Sequence, residues 1–155
     1  MKTTHQGIVM LVDDDPSIRL SIGDYLRFHG YDVVTVESAE QAILQLDHVA
    51  PDLIILDINM PGMGGMGFLK ELGDGNGILP YPVLVFSARD ELAYSFARTG
   101  VERFLSKTCG PTVLLREVKR IVQKRRFAAL QRNRQDDTTA FHERAVPYEE
   151  QGAVR

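Results

Sequence analysis

Short apolar runs, each halted by polar residues and separated from the next by a segment of helical period, constrain this chain more than any other feature. Ile8–Val12 is apolar throughout and stops at Asp13-Asp14-Asp15. Residues 33–36 are β-branched throughout, residues 53–56 and 83–86 are apolar without alternation, and Phe104-Leu105 forms a shorter fifth run. Runs of this length without alternation suit strands buried on both faces, and therefore a parallel sheet covered by helices.

The intervening segments carry the covering helices. Ile18, Ile22, Tyr25 and Leu26 repeat at i, i+4, i+7 and i+8, with Pro16 at the start. Ala39, Ala42, Ile43 and Leu46 form a second stripe behind the capping residue Ser38. Phe68, Leu69 and Leu72 predict a short third helix that Gly73 ends. A weaker fourth helix is expected over 90–99, with Leu92, Ala93, Phe96 and Ala97 inward. A fifth begins at Pro111 and turns Leu114, Val118, Ile121 and Val122 inward. The alternation βαβαβαβαβα implies right-handed crossovers and an open, doubly wound sheet. From about residue 133 the sequence is polar and lacks a long period. A frayed helix end and then a mobile tail are expected there.

In an open α/β sheet, ligands sit beyond the carboxyl ends of the strands. The first run ends at Asp13-Asp14-Asp15, the third at Asp57, the fourth at Ser87, and the fifth is followed by Ser106 and Lys107. With sheet order 2-1-3-4-5 these groups converge on one edge. Carboxylates gathered so closely repel one another unless a cation neutralises them. Carboxylate and backbone oxygens suit a hard ion such as Mg²⁺, which offsets negative charge in phosphoryl transfer. Lys107 adds a point charge for phosphate, Ser87 a hydroxyl donor, and Asp57 is left as the nucleophile.

Four motifs in order carry a resemblance. They are Leu11-Val12-Asp13-Asp14-Asp15; the stretch from Pro51 through Asp57 to Met60-Pro61-Gly62-Met63-Gly64-Gly65; Phe86-Ser87-Ala88; and Phe104-Leu105-Ser106-Lys107. Across roughly residues 7–125 the chain resembles the receiver domain of bacterial two-component response regulators. The resemblance implies a flavodoxin-like, doubly wound five-stranded parallel sheet of order 2-1-3-4-5 with five flanking helices. It makes 7–125 a receiver domain and 126–155 a helical extension and flexible C-terminal tail.

The same resemblance assigns roles. Asp57 accepts the phosphoryl group and binds Mg²⁺, together with the acidic pair Asp13 and Asp14, Asp14 being the more direct ligand. The backbone carbonyl of Asn59 completes the protein ligands. Ser87 matches the switch hydroxyl, Phe104 the aromatic that swings inward, and Lys107 the phosphate-facing lysine. The side chains of Asn59 and Arg89 fall where the family tunes phosphoryl lifetime. One departure stands out: Thr108 follows Lys107 where the family usually has proline, often with a cis bond. A cis bond before a non-proline residue costs about 3 kcal/mol, so a trans bond or a strained loop is expected.

The implied function is a signalling module rather than an enzyme acting on external substrates. The chain catalyses its own phosphorylation and dephosphorylation, with a sensor histidine kinase or phosphotransfer protein as donor. It then switches the face made by its fourth helix, fifth strand and fifth helix for a downstream protein partner or a homodimer. The alternative, motivated by Thr108, is an interaction module that no longer uses phosphorylation. A phosphatase with an aspartyl intermediate needs a general acid two residues after Asp57, where Asn59 stands. A flavin site needs a run of Ser/Thr in the first βα loop to hold phosphate, which that loop lacks.

Charge and termini bound the rest. Residues 1–120 hold 11 Lys+Arg against 16 Asp+Glu, and residues 121–155 hold 7 against 5. The basic cluster Arg116, Lys119, Arg120, Lys124, Arg125, Arg126, Arg132 and Arg134 reads first as a solvated helix face. Its second reading is a surface for nucleic acid or an acidic partner. No recognition helix follows, so direct nucleic-acid binding is not expected. His5, His29, His48 and His142 show no ligand spacing, and the single Cys109 forms no internal disulfide. The apolar run before Asp13 is too short for a leader or a membrane span, which makes a cytoplasmic location the expectation.

Overall fold

The computed structural model describes residues 5–89, 96 and 99–143. The elements run β1 (Ile8–Val12), α1 (Pro16–Phe28), β2 (Asp32–Val36), α2 (Ala39–Leu46), β3 (Leu53–Leu56), α3 (Gly64–Leu72), β4 (Val83–Ser87), β5 (Arg103–Ser106) and α4 (Pro111–Glu143). All four strand pairings are parallel, as the alternation predicts, and the sheet order is β2-β1-β3-β4-β5, as the resemblance implies. The helix expected over 90–99 lies outside the described residues except for Phe96 and Thr99. Four flanking helices are therefore described, and the expected fifth is α4 here.

Strand side chains alternate between two cores, one on each sheet face. Val9, Leu11, Leu53, Ile55, Leu84, Phe86 and Leu105 pack with Leu26 of α1 and with Leu114, Val118, Ile121 and Val122 of α4. Met10, Val12, Ile54, Leu56, Val83 and Val85 pack on the other face with Ala39, Ala42, Phe68 and Phe96. Both faces of every central strand are covered, which explains why these strands read as unbroken apolar runs. Burying each such Val, Leu or Ile side chain contributes about 1.5–3 kcal/mol.

Local signals set the helix starts. The Asp15 carboxylate accepts the Ser17 N–H at 2.8 Å with Pro16 in the first turn, and Ser38 Oγ accepts the Gln41 N–H at 3.2 Å. Each satisfies an amide that the helix leaves unpaired. Gly73 closes α3 in an extended conformation, its N–H bonded to the Leu69 carbonyl. α4 departs from expectation in length: it is continuous for 33 residues, about 50 Å. Its buried stripe ends at Val122, and Phe127 and Leu130 are 64% and 63% exposed. Lys124, Arg125 and Arg126 fix the helix where it leaves the core. They reach Glu102, the Pro80 carbonyl and the carbonyls of His5 and Gln6 respectively. Among the described residues, no helix is long and apolar enough to cross a membrane.

Candidate functional site

Register brings the acids together. Val12 of β1 stands directly beside Leu56 of β3, so the next residues, Asp13 and Asp57, leave the sheet side by side. On the other flank Ser87 pairs with Ser106, and the Lys107 N–H donates to the Ser87 carbonyl at 2.8 Å. Parallel strands in this order deliver all of these residues to the carboxyl edge, the usual ligand edge of such sheets.

The carboxylates of Asp13, Asp14 and Asp57 contribute oxygens that all lie within 4.8 Å of one another. Asp13 and Asp57 are buried, and Asp14 forms the solvent-facing side. The Lys107 ammonium reaches into the cluster, 2.7 Å from Asp13 Oδ2 and 3.1 Å from Asp57 Oδ2. Backbone amides orient the remaining oxygens: the Asp15 N–H donates to Asp13 Oδ1 at 2.9 Å, and the Asn59 N–H to Asp57 Oδ1 at 3.2 Å. Ser87 is fully buried, and its Oγ accepts the N–H of the exposed Arg89 at 3.2 Å. Asn59 is exposed at the rim. Phe104 is half-buried beside the cluster of the second core and stacks on Phe96 at 5.8 Å between centroids.

The electrostatics are unbalanced. Burial raises the pKa of Asp13 above the usual aspartate range, and the Lys107 contact and the Asp15 N–H offset only part of that. Burial works against charge on Lys107, but Asp13 and Asp57 outweigh it and hold the ammonium above the ordinary lysine value. Asp13 Oδ2 is buried and accepts no well-directed hydrogen bond, so its contact with Lys107 is an ion pair without a satisfied lone pair. Three carboxylates against one amine is a donor set short of positive charge. A hard divalent ion that takes oxygen ligands and keeps some waters fits it.

The bond from Lys107 to Thr108 is trans, since the described residues contain no cis peptide. Thr108 is held by local bonds instead: its N–H donates to Ser106 Oγ, and the two hydroxyls lie 2.8 Å apart. Lys107 still meets both carboxylates, so the departure from proline no longer favours the interaction-only alternative.

Three supporting residues escaped the sequence. Arg19 of α1 donates to the Asp13 carbonyl at 2.6 Å and holds the β1–α1 loop. Glu40 of α2 accepts the Met63 N–H at 2.7 Å, capping the loop between Asp57 and α3. Gly62 permits that approach: its φ is +76°, and a Cβ there would lie 2.6 Å from Glu40 Oε1. Glu117 of α4 is buried beneath Arg103, Arg116 and Arg120. Arg19, Glu40 and Glu117 each stand in a helical stripe that reads as solvated, and only distances reveal their partners. A concavity of about 540 Å³ beneath α4 near Pro80 and Tyr81 lies at the opposite sheet edge.

The comparisons agree with this geometry. Residues 9–119 match the family described as response regulator receiver domain. The chain is 30% identical over 126 residues to the alkaline phosphatase synthesis transcriptional regulatory protein PhoP of Bacillus subtilis, an alignment covering 78% of this chain and 50% of that protein. The chain thus spans about half the length of that relative. Among solved structures, the chemotaxis response regulator CheY4 of Vibrio cholerae aligns with a TM-score of 0.64 and 29% identity, covering 74% of this chain and 97% of that one. Response regulator TrrA of Thermotoga maritima, solved in complex with Mg²⁺-BeF, aligns with a TM-score of 0.66 and 25% identity over 74% and 97%. With the order of its strands, its acidic edge and a family match over most of its length, the chain belongs to the response regulator receiver-domain family.

Proposed function

We propose that the chain is a phosphorylation-dependent signalling module in which Asp57 accepts the phosphoryl group. The observation that carries this reading is the Lys107 ammonium set 2.7 and 3.1 Å from Asp13 and Asp57 in a three-carboxylate pocket. In the proposed step, a phosphohistidine of a sensor kinase or phosphotransfer protein approaches the open side at Asp14. An Asp57 carboxylate oxygen attacks phosphorus in line as the phosphorus–nitrogen bond breaks. The electron pair leaves on the imidazole, which is protonated from solvent. Lys107 is freed from its carboxylate partners to face the transferred group, and the Asn59 N–H keeps the carboxylate oriented. Asp13, Asp14 and Asp57, with the Asn59 carbonyl, are the proposed Mg²⁺ ligands, and TrrA's complex with Mg²⁺-BeF supports that assignment. When bound, the ion supplies charge neutralisation for the incoming phosphoryl oxygens.

The switch is proposed to run through Ser87 and Phe104. A phosphoryl group on Asp57 offers acceptors to the Ser87 hydroxyl and to Lys107. Drawing Ser87 over breaks its bond with the Arg89 N–H and shifts the backbone after β4, the chain that leads to Phe96, whose ring stacks on Phe104. The outcome is a population shift at the β5–α4 face, which meets a downstream protein or a second copy of the chain. The receiver unit is taken as 7–125 and the extension as 126–155, a boundary supported by burial that ends at Val122 within α4.

Intact mass after incubation with acetyl phosphate tests the reading. One phosphoryl group is expected with Mg²⁺ and none in chelator. Asp57→Ala is expected to take none, and labelling elsewhere or none with Mg²⁺ would overturn the proposal.

A further inference from the structure

The β5–α4 face carries an arrangement that phosphoryl chemistry does not use. Glu117 is 7% exposed and sits among three guanidinium groups. Arg120 Nε lies 2.9 Å from Oε2, Arg103 Nε 3.7 Å from the same oxygen, and Arg116 Nε 3.7 Å from Oε1. All three contacts use Nε. Glu117 is the one acidic partner of these arginines among the described residues, and the three side chains are 47–69% exposed. One carboxylate neutralises one cation, so two positive charges on this patch lack a counter-ion among the described residues. The exposed Lys119 on the same helix adds a third.

We propose that this face is a docking site for a carboxylate-rich segment of a partner protein, gripped by the outward guanidinium ends of Arg103, Arg116 and Arg120. A guanidinium presents a planar fork that matches a carboxylate in two parallel hydrogen bonds. Glu117 anchors Arg120 by a hydrogen bond and draws Arg103 and Arg116 to ion-pair distance, so part of the ordering cost of binding is already met in the free chain. A solvated charge run needs no buried carboxylate beneath it, and here the carboxylate gathers residues from two different elements. The cations form one compact patch over β5 and the start of α4, which suits a short acidic peptide better than the extended phosphate track of a duplex. A two-fold pairing of the same patch sets these cations against their own copies. The proposal deepens the reading above by giving the downstream partner a chemistry. It rests on that reading only for the effect of phosphorylation, because Arg103 and Phe104 are neighbours on the strand that ends just before Lys107.

The test is fluorescence anisotropy on the full, unmodified chain with a labelled peptide of alternating Glu and Ser. Controls are the same peptide with Gln for Glu and a labelled DNA duplex. Saturable binding of the Glu peptide is expected, weakening with salt and absent for the Gln peptide. Arg103→Ala with Arg116→Ala should weaken it about tenfold or more. The Arg→Lys pair should retain part of it, and Lys124→Ala, whose partner is Glu102, should leave it unchanged. Melting curves establish that each variant is folded. Equal affinity of the wild type and the double alanine variant, preference for the duplex, or sedimentation as a dimer that excludes the peptide would each overturn the proposal. Phosphoryl uptake at Asp57 is read separately by mass. A chain that takes the phosphoryl group without binding peptide overturns only this proposal, and the converse result overturns only the earlier reading.

Discussion

Lys107 Nζ lies 2.7 Å from Asp13 Oδ2, a buried oxygen that has no other partner. The amine therefore occupies one of the oxygens a divalent ion would use, and the two cations compete. Lys107→Ala is expected to bind Mg²⁺ several-fold more tightly by titration calorimetry while losing most of its rate of phosphoryl uptake. In Mg²⁺-free buffer the same variant leaves two buried carboxylates without a cation, and should lose about 2–4 kcal/mol of stability. Unchanged or weaker Mg²⁺ affinity would show that the amine and the ion do not share the oxygen.

A pocket short of positive charge is destabilising until an ion fills it. Mg²⁺ should raise the melting temperature by linkage, about 2.7 kcal/mol at a hundredfold excess over Kd. Asp13→Asn is expected to melt a few degrees higher than the wild type in chelator and to lose most of the Mg²⁺ increment. If the variant instead melts lower in chelator, the carboxylate is a net stabilising partner of Lys107, and the repulsion argument fails.

The sequence reveals this architecture wherever a residue's role follows from its place in a run. Asp13 and Asp57 end apolar runs, and parallel register alone carries them to one edge. Pro16, Ser38 and Pro111 mark helix starts because local backbone chemistry demands it there. What stays hidden is contact between side chains far apart in sequence. Glu40 and Met63 are 23 residues apart, and nothing in the spacing of α2 singles out that carboxylate from its solvated neighbours. The length of α4 was hidden for the opposite reason. Residues 123–132 bury little, so they carry no apolar period to read.

Gly65 stands in the first turn of α3, where the helix presses on the phosphoacceptor loop. A Cβ at this position would lie 2.5 Å from the Asp57 carbonyl oxygen and 2.7 Å from Ile58 Cα, both backbone atoms that cannot swing aside. Alanine usually favours a helix over glycine by about 0.5–1 kcal/mol, but the clash should reverse the sign here. Gly65→Ala is expected to lower stability by about 1–3 kcal/mol in urea unfolding and to slow phosphoryl uptake, because the loop carrying Asp57 must move. A neutral or stabilising effect would mean that α3 shifts freely against β3.

Glu117 gives the chain an acid-sensitive element remote from the phosphoacceptor. Burial disfavours its charge, but the hydrogen bond from Arg120 and the fields of Arg120, Arg103 and Arg116 prevail and hold its pKa below the ordinary glutamate value of 4.5. A carboxylate with a depressed folded pKa binds protons less readily than in the unfolded chain. Its contribution is thus complete above 4.5 and disappears as pH falls through the lower folded value. Glu117→Gln should cost about 1–2 kcal/mol at neutral pH. The difference between wild type and variant should close in the acid range below the ordinary glutamate value. Chemical denaturation across pH checks both points. A gap that persists unchanged into strong acid would mean that Glu117 supports the β5–α4 face by packing alone, and that its charge does not hold the three arginines in place.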